Sequence, residues 1–278
     1  MNKEYLFKDP HFACGELPID EELILSGRRG KLFCVLFRAG GRGKKPAVLL
    51  LHGLPGNEQN LDLAQSLRRT GINVLTLHYS GSWGSEGAFS FKNCIEDAVT
   101  ALDFLRDCGN AEKYLIDTDR LFVIGHSMGG FLALYLAAEC SLIRGVIAIA
   151  PYDFGFIQKM IITKAPALQS ALEGAMASNA EWLMTDGASL SRELKENRDD
   201  FDLAGKSEAL SRTRVLIITG KRDETAAAER HGGRLYAAVN AHGRGLASYR
   251  EIDTGHGFTD RRIELINAAA DEMERWLG

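Results

Sequence analysis

Leu121-Phe-Val-Ile-Gly-His-Ser-Met-Gly-Gly130 decides the fold. Residues 121–124 are a β-branched and aromatic run that predicts a short buried strand, and the Ala- and Leu-rich segment after Gly130 predicts a helix. Between them lies Gly125-His126-Ser127-Met128-Gly129, a Gly-x-Ser-x-Gly pattern on a strand-to-helix turn. So sharp a turn forces the serine into a strained backbone conformation and admits only small residues two positions to either side. Gly125 and Gly129 supply them, which leaves the Ser127 hydroxyl at the tip beside the next backbone N–H. A serine that merely caps the following helix is the alternative reading.

The flanking chain alternates strands and helices. Residues 23–25 and 31–38 read as strands joined by the turn-rich Ser26-Gly-Arg-Arg-Gly30, which favours an antiparallel hairpin. Residues 47–51 are a continuous apolar run, as expected of a strand covered on both faces, and end in His52-Gly-Leu-Pro-Gly56. Leu61, Ala64 and Leu67 recur at helical spacing before Gly71, residues 73–79 form a strand, and Ile95, Ala98, Val99, Leu102 and Leu105 mark a helix ending near Gly109. Residues 145–150 and 214–219 are further buried strands. The chain closes with a helix over 224–239, a strand over 248–252 and a helix striped by Ile263, Ile266, Ala270, Met273 and Leu277. Strands alternating with crossover helices mean an α/β fold whose sheet is mostly parallel.

Within residues 151–213, Phe156, Ile157, Met160 and Ile161, then Leu168, Leu172 and Met176, recur at helical intervals broken by Pro166 and by Asp186-Gly187. This reads as an insertion of short helices into a core built from residues 1–150 and 214–278. Its last part, residues 191–202, is highly charged and reads as a solvated helix face or loop, or as the edge of a lid.

The 278 residues, 45% hydrophobic and 25% charged, suit one large α/β domain or one domain with an insertion. Net charge is −4, and the 33 basic residues are spread along the chain, so no nucleic-acid partner is expected. The amino terminus is charged and no apolar run is long enough to span a bilayer, which predicts no membrane association and a cytoplasmic location. Cys14, Cys34, Cys94, Cys108 and Cys140 form no C-x-x-C pair, so they suggest neither a disulfide framework nor a zinc site and read as buried thiols.

A serine hydroxyl is a weak nucleophile at neutral pH and needs a base, itself oriented by a third group. His256, in the glycine-flanked loop Asp253-Thr-Gly-His-Gly-Phe258 after a predicted strand, is the best-placed base; a surface histidine is its bland reading. Asp223 lies just beyond the strand predicted over 214–219, on the rim where open parallel sheets bind ligands. Glu224 is the fallback acid, otherwise a favourable charge in a helix's first turn, and Asp253, expected to end a strand, ranks third.

The order Ser127, Asp223, His256 is that of the α/β-hydrolases, and the chain resembles that superfamily from about residue 20 to its end. Within it the sequence is similar to serine aminopeptidase-like and dienelactone-hydrolase-like esterases, and to the catalytic domain of prolyl-oligopeptidase-type enzymes without their propeller. The resemblance implies an eight-stranded, mostly parallel sheet flanked by helices, with a helical cap inserted after the sixth strand. His52-Gly-Leu-Pro-Gly56 resembles the family's His-Gly loop. Carried over, the backbone N–H groups of Leu54 and Met128 would form an oxyanion hole, with Pro55 stiffening the loop. His52 itself reads as a buried histidine bonded to loop backbone, with a place in the pocket wall as the alternative. His78-Tyr-Ser-Gly-Ser-Trp-Gly-Ser-Glu-Gly87 resembles the family's Tyr-Arg-Gly-x-Gly-x-Ser loop, with Ser80 in place of arginine. Trp83 there either walls the acyl pocket or pins its loop to the core. Tyr152 is a further pocket candidate, and His126 reads as a packed side chain.

The resemblance implies hydrolysis of a carboxylic ester or related acyl bond of a small to medium substrate, with no metal or organic cofactor. A serine peptidase acting on short peptides is one alternative, in which Glu86 or Asp153 would grip the substrate ammonium. A non-catalytic, ligand-binding member of the fold is the other.

Overall fold

The computed structural model describes residues 1–278 apart from Cys14, Lys164 and Pro166. The expectations that Cys14 is a buried thiol and that Pro166 breaks a helix therefore lie outside the described residues. Eight strands run in chain order as β1 (Ile19–Gly27), β2 (Gly30–Arg38), β3 (Lys45–Leu51), β4 (Asn73–Leu77), β5 (Ile116–His126), β6 (Gly145–Ile149), β7 (Arg214–Gly220) and β8 (Ala247–Ile252). They form one sheet in the order β1-β2-β4-β3-β5-β6-β7-β8. The β1–β2 hairpin closes on the Gly27–Gly30 pair, β2 is antiparallel to both its neighbours, and every other pairing is parallel.

The unbroken apolar runs become the central strands because both faces of the sheet are covered. In β3, Ala47, Leu49 and Leu51 enter one core while Val48 and Leu50 enter the other. β5 divides in the same two-residue rhythm, Leu121 and Val123 to the first core, Phe122 and Ile124 to the second. Helices α1 (Leu61–Arg69), α2 (Phe91–Arg106), α3 (Cys108–Lys113) and α4 (Met128–Glu139) precede β6, and α5 (Phe154–Thr163), α6 (Ala167–Ala180), α7 (Gly187–Glu196) and α8 (Ser207–Leu210) lie between β6 and β7. The chain ends through α9 (Gly232–Asn240) and α10 (Arg262–Leu277). The helical insertion thus falls after the sixth strand, as expected.

Several boundaries and faces differ from the expectation. The buried stripe of α1 is Leu63, Ala64 and Leu67, with Leu61 exposed; Val99 and Ile263 are exposed on α2 and α10. Gly109 does not end α2, because Asp107 caps the separate helix α3 by accepting the Asn110 N–H at 2.9 Å. Residues 224–231 are a loop rather than the start of a helix: the Asp223 carboxylate takes the N–H groups of Thr225 and Ala226 at 2.9 and 2.8 Å and holds the segment around itself. The charged residues 191–202 are anchored, not merely solvated. Glu193 accepts the Phe91 and Lys92 N–H groups at the start of α2, and Leu194 and Phe201 are buried. Cys34 and Cys94 are buried, but Cys108 is exposed and Cys140 only half-buried, since each lies at a helix end.

Of all the glycines, the two at the elbow between β5 and α4 have the least room for a side chain. Ser127 has φ 56° and ψ −118°, outside the regions that non-glycine residues prefer. A Cβ on Gly125 would meet the Gly129 carbonyl oxygen at 1.9 Å, and one on Gly129 the Leu51 carbonyl oxygen at 2.0 Å. Both obstacles are backbone, so neither can swing aside. Gly129→Ala is accordingly expected to cost about 3 kcal/mol or more, read as a fall in the urea midpoint; a midpoint unchanged from wild type would contradict this packing.

Candidate active site

Three elements converge on Ser127. Its N–H donates to the Ile149 carbonyl at 2.8 Å, which pins the elbow to the end of β6. His256, on the loop after β8, places Nε2 2.9 Å from the Ser127 hydroxyl oxygen. Its Nδ1 lies 2.7 Å from Asp223 Oδ2, just beyond β7. The three side chains so form one hydrogen-bonded chain. Burial alone would raise the Asp223 carboxyl, but the hydrogen bond and charge of His256, with the two backbone N–H donors, outweigh it and hold the group below its usual 3.8. Asp223 therefore orients the imidazole as a carboxylate.

Arg222 and Arg262 brace this arrangement. Arg222 donates to the Asp253 carboxylate at 3.0 Å, to the Asp253 carbonyl at 2.7 Å and to Asp260 at 2.7 Å, so the loop carrying Asp223 grips the loop carrying His256. Asp253, the third-ranked acid, is thus engaged with arginine and not with His256. Arg262 donates to the Gly257 carbonyl at 3.3 Å while paired with Asp62. His126, inside the elbow, does more than pack: its Nε2 lies 2.8 Å from the His256 carbonyl, which can only accept, so that nitrogen carries the hydrogen. Burial pushes His126 down to about 4, and it holds the His256 backbone as a neutral donor.

A cavity of about 350 Å³ opens on Ser127 and His256. Leu54 and Met128 line it beside the serine, and Met128 is the first residue of α4, so its N–H is one of those a helix leaves without an internal acceptor. Tyr152, Phe154 and Ile157 form one wall, and Leu168, Leu172 and Met176 of the inserted α6 another. Of the three pocket candidates, Tyr152 alone lines the cavity. His52 is buried behind it, with Nδ1 2.7 Å from the Gly53 carbonyl, its ring against Tyr79 and its pKa lowered to about 4 by burial. Trp83 donates its indole N–H to the Pro55 carbonyl at 2.8 Å and stacks on Trp182, so it ties the Leu54 loop to the insertion instead of walling the pocket.

The two carboxylates suggested for an ammonium grip are elsewhere. Glu86 accepts the Lys31 N–H at 2.9 Å on the exposed β1–β2 side. Asp153 is 1% exposed and paired with Arg234 at 3.0 Å, burial raising its carboxyl to about 6. Glu224 is instead on the cavity, together with Arg230 and His231, neither of which any sequence pattern singled out. Ser80, which stands where the resembled loop has arginine, donates its N–H and hydroxyl to the buried Asp97 at 2.6 and 3.0 Å.

Because the Asp223 pKa is depressed on folding, its stabilisation is present above the unfolded value and is lost as pH falls through the depressed folded one. The urea midpoints of wild type and Asp223→Asn are therefore expected to differ at pH 7 and to converge below pH 3.8. A gap that persists undiminished at that acidity would contradict the assignment of charge.

Residues 46–232 match the family described as alpha/beta hydrolase fold. Acylamino-acid-releasing enzyme 1 of Oryza sativa subsp. japonica is 33% identical over 105 residues, which are 34% of this chain and 13% of that protein. Esterase EstD of Thermotoga maritima is 30% identical over 154 residues, 51% of this chain and 34% of that one. The chain thus spans well under two thirds of these relatives. Among solved structures, the Pyrococcus horikoshii acylaminoacyl peptidase superposes with a TM-score of 0.69 at 13% identity over 94% of this chain and 42% of that one, a likeness of fold. Among the described residues no helix is long and apolar enough to cross a membrane. By the match of its sequence over most of its length, the chain belongs to the α/β-hydrolase fold family.

Proposed function

We propose that the protein is a serine hydrolase that cleaves a carboxylic ester, or a related acyl bond, of a small to medium substrate. The observation that carries this reading is the unbroken chain from the Ser127 hydroxyl through His256 to Asp223, set on a strained elbow at a largely apolar cavity. Ser127 Oγ attacks the acyl carbonyl while His256 Nε2 takes its proton; the imidazolium, stabilised by the Asp223 carboxylate, returns that proton to the departing alkoxide. Water then attacks the acyl-enzyme, gives its proton to the same Nε2, and Ser127 is restored as the acid leaves. The Leu54 and Met128 N–H groups receive the negative charge that develops on the carbonyl oxygen, a contribution of about 3–4 kcal/mol for one donor in a related chemistry.

The similarity to an esterase and to acylamino-acid-releasing enzymes supports acyl chemistry without choosing between ester and peptide. One observation keeps the peptidase reading as the second: Glu224 is the carboxylate that lines the cavity. Arg230 lies on the same cavity and would repel a substrate ammonium there, which favours the ester.

Intact-mass analysis after fluorophosphonate treatment tests the proposal. Wild type is expected to gain one phosphonyl group and to hydrolyse short and medium p-nitrophenyl esters, and Ser127→Ala to do neither while retaining its thermal stability. Full activity in Ser127→Ala, or an unmodified wild type, would overturn the reading. Asp223→Asn is expected to lower kcat by about 10⁴, measured on the best ester of that panel; an undiminished kcat would remove Asp223 from the mechanism.

A further inference from the structure

His231 stands one residue before α9, on the loop that begins at Asp223, and nothing in the proposed hydrolysis uses it. Its side chain lines the cavity although the residue is only 2% exposed, and its ring lies against Tyr152 with centroids 4.5 Å apart. The Asp153 backbone N–H donates to Nδ1 at 2.9 Å. A ring nitrogen that accepts carries no hydrogen, so the neutral imidazole holds its hydrogen on Nε2. Burial lowers the His231 pKa to about 3, which keeps the ring neutral and this tautomer in place at ordinary pH.

No group among the described residues accepts from Nε2. Nor is Nε2 one of the sealed side-chain atoms left without a partner, as His52 Nε2 is. It therefore opens on the cavity. The result is an unpartnered N–H donor on a chamber whose apolar wall is Phe154, Ile157, Leu172 and Met176, the polar Asn179, Thr225 and Arg230 lining it as well. A wholly hydrocarbon acyl group would strip water from this donor and give nothing back, whereas an acyl group with an acceptor in the right place would satisfy it.

We infer that His231 selects the acyl group, its Nε2–H donating to a neutral oxygen, a ketone or ether, within an otherwise apolar acyl chain. This rests on the hydrolase reading above and names the substrate class for it. The scissile carbonyl is not that acceptor, since its oxygen is left to Leu54 and Met128. A carboxylate is disfavoured, because the donor is a neutral ring among apolar side chains and a buried charge there would lack a counterion. Arg230 on the same cavity is exposed, so a carboxylate drawn to its charge would be held by Arg230 and not by His231.

The test uses Ser127→Ala, so that binding is read without turnover. Dissociation constants are measured by NMR titration for methyl hexanoate, methyl 4-oxohexanoate, methyl 5-oxohexanoate and monomethyl adipate. One of the oxo esters is expected to bind about tenfold more tightly than methyl hexanoate, and His231→Phe in the same background to abolish the difference. Equal affinities, a preference that survives His231→Phe, or tightest binding of the adipate ester would each overturn the proposal. Should His231→Phe fail to fold, the imidazole ¹⁵N resonance of His231 in Ser127→Ala decides instead. It moves on titration with the favoured oxo ester and not with methyl hexanoate, or the proposal is wrong. Fluorophosphonate labelling of wild type reads Ser127 separately, so labelling without an oxo preference sinks this inference alone, and an oxo preference without labelling sinks the hydrolase reading and leaves His231 only as a binding group.

Discussion

Gly129 lies so close to the end of β3 that its missing side chain leaves only the room a hydrogen needs before the Leu51 carbonyl. That approach, with the matching one of Gly125 to the Gly129 carbonyl, lets the chain reverse from β5 into α4 within a few atoms. Ser127 is carried at the turn with φ 56°, strain of about 1–3 kcal/mol that the surrounding packing must hold in place. The packing is there: α4 is buried on nearly all sides, and Phe131 meets Phe154 and Phe201 edge to face at 5.3 and 5.4 Å. One close backbone contact thus connects the core to the hydroxyl, the start of a helix dipole and the cavity beyond it.

The electrostatics around that hydroxyl are organised by which groups are permitted a charge. His52, His126 and His231 are all driven neutral by burial, and each bonds to loop backbone through one ring nitrogen. Asp223 is nearly as buried yet stays ionised, because two backbone N–H groups and His256 compensate its lost water. The buried Asp223 carboxylate therefore faces one less buried imidazole, with neutral histidines acting as fixed struts about them. Arg222 and Arg262 supply the remaining rigidity from the protein's outer side, where their own charges are partly hydrated.

The centres of β3, β6 and β7 and residues 121–124 of β5 were legible in the sequence because residues covered on both faces must be apolar. The start of β5 was not, since Asp117 to Arg120 are polar and only partly covered. The insertion after β6 was legible from helical spacing. What failed were features fixed by side-chain hydrogen bonds between distant segments. Residues 224–231 have good helix formers, but Asp223 takes the N–H groups of Thr225 and Ala226. Within residues 191–202 the solvated face is present in Arg192, Lys195 and Glu196, but the cap that Glu193 gives α2 was not legible. Which of its two readings Trp83 fulfils, pocket wall or loop pin, is decided by the Pro55 carbonyl that its indole N–H reaches, a contact between segments far apart in sequence. His231 has no local signature at all, since its tautomer depends on the Asp153 N–H, far away in the chain. Stripe errors such as Leu61 and Ile263 follow from spacing that fits two adjacent faces of one helix equally well.

The proposed hydrolysis requires Ser127 to form a covalent bond with its substrate. The most direct measurement mixes the protein with a p-nitrophenyl ester, quenches in acid during turnover, and locates any added acyl mass by peptide mapping. One acyl group is expected on the peptide that contains Ser127, formed as p-nitrophenolate is released. Turnover with the acyl mass on another residue would contradict that requirement.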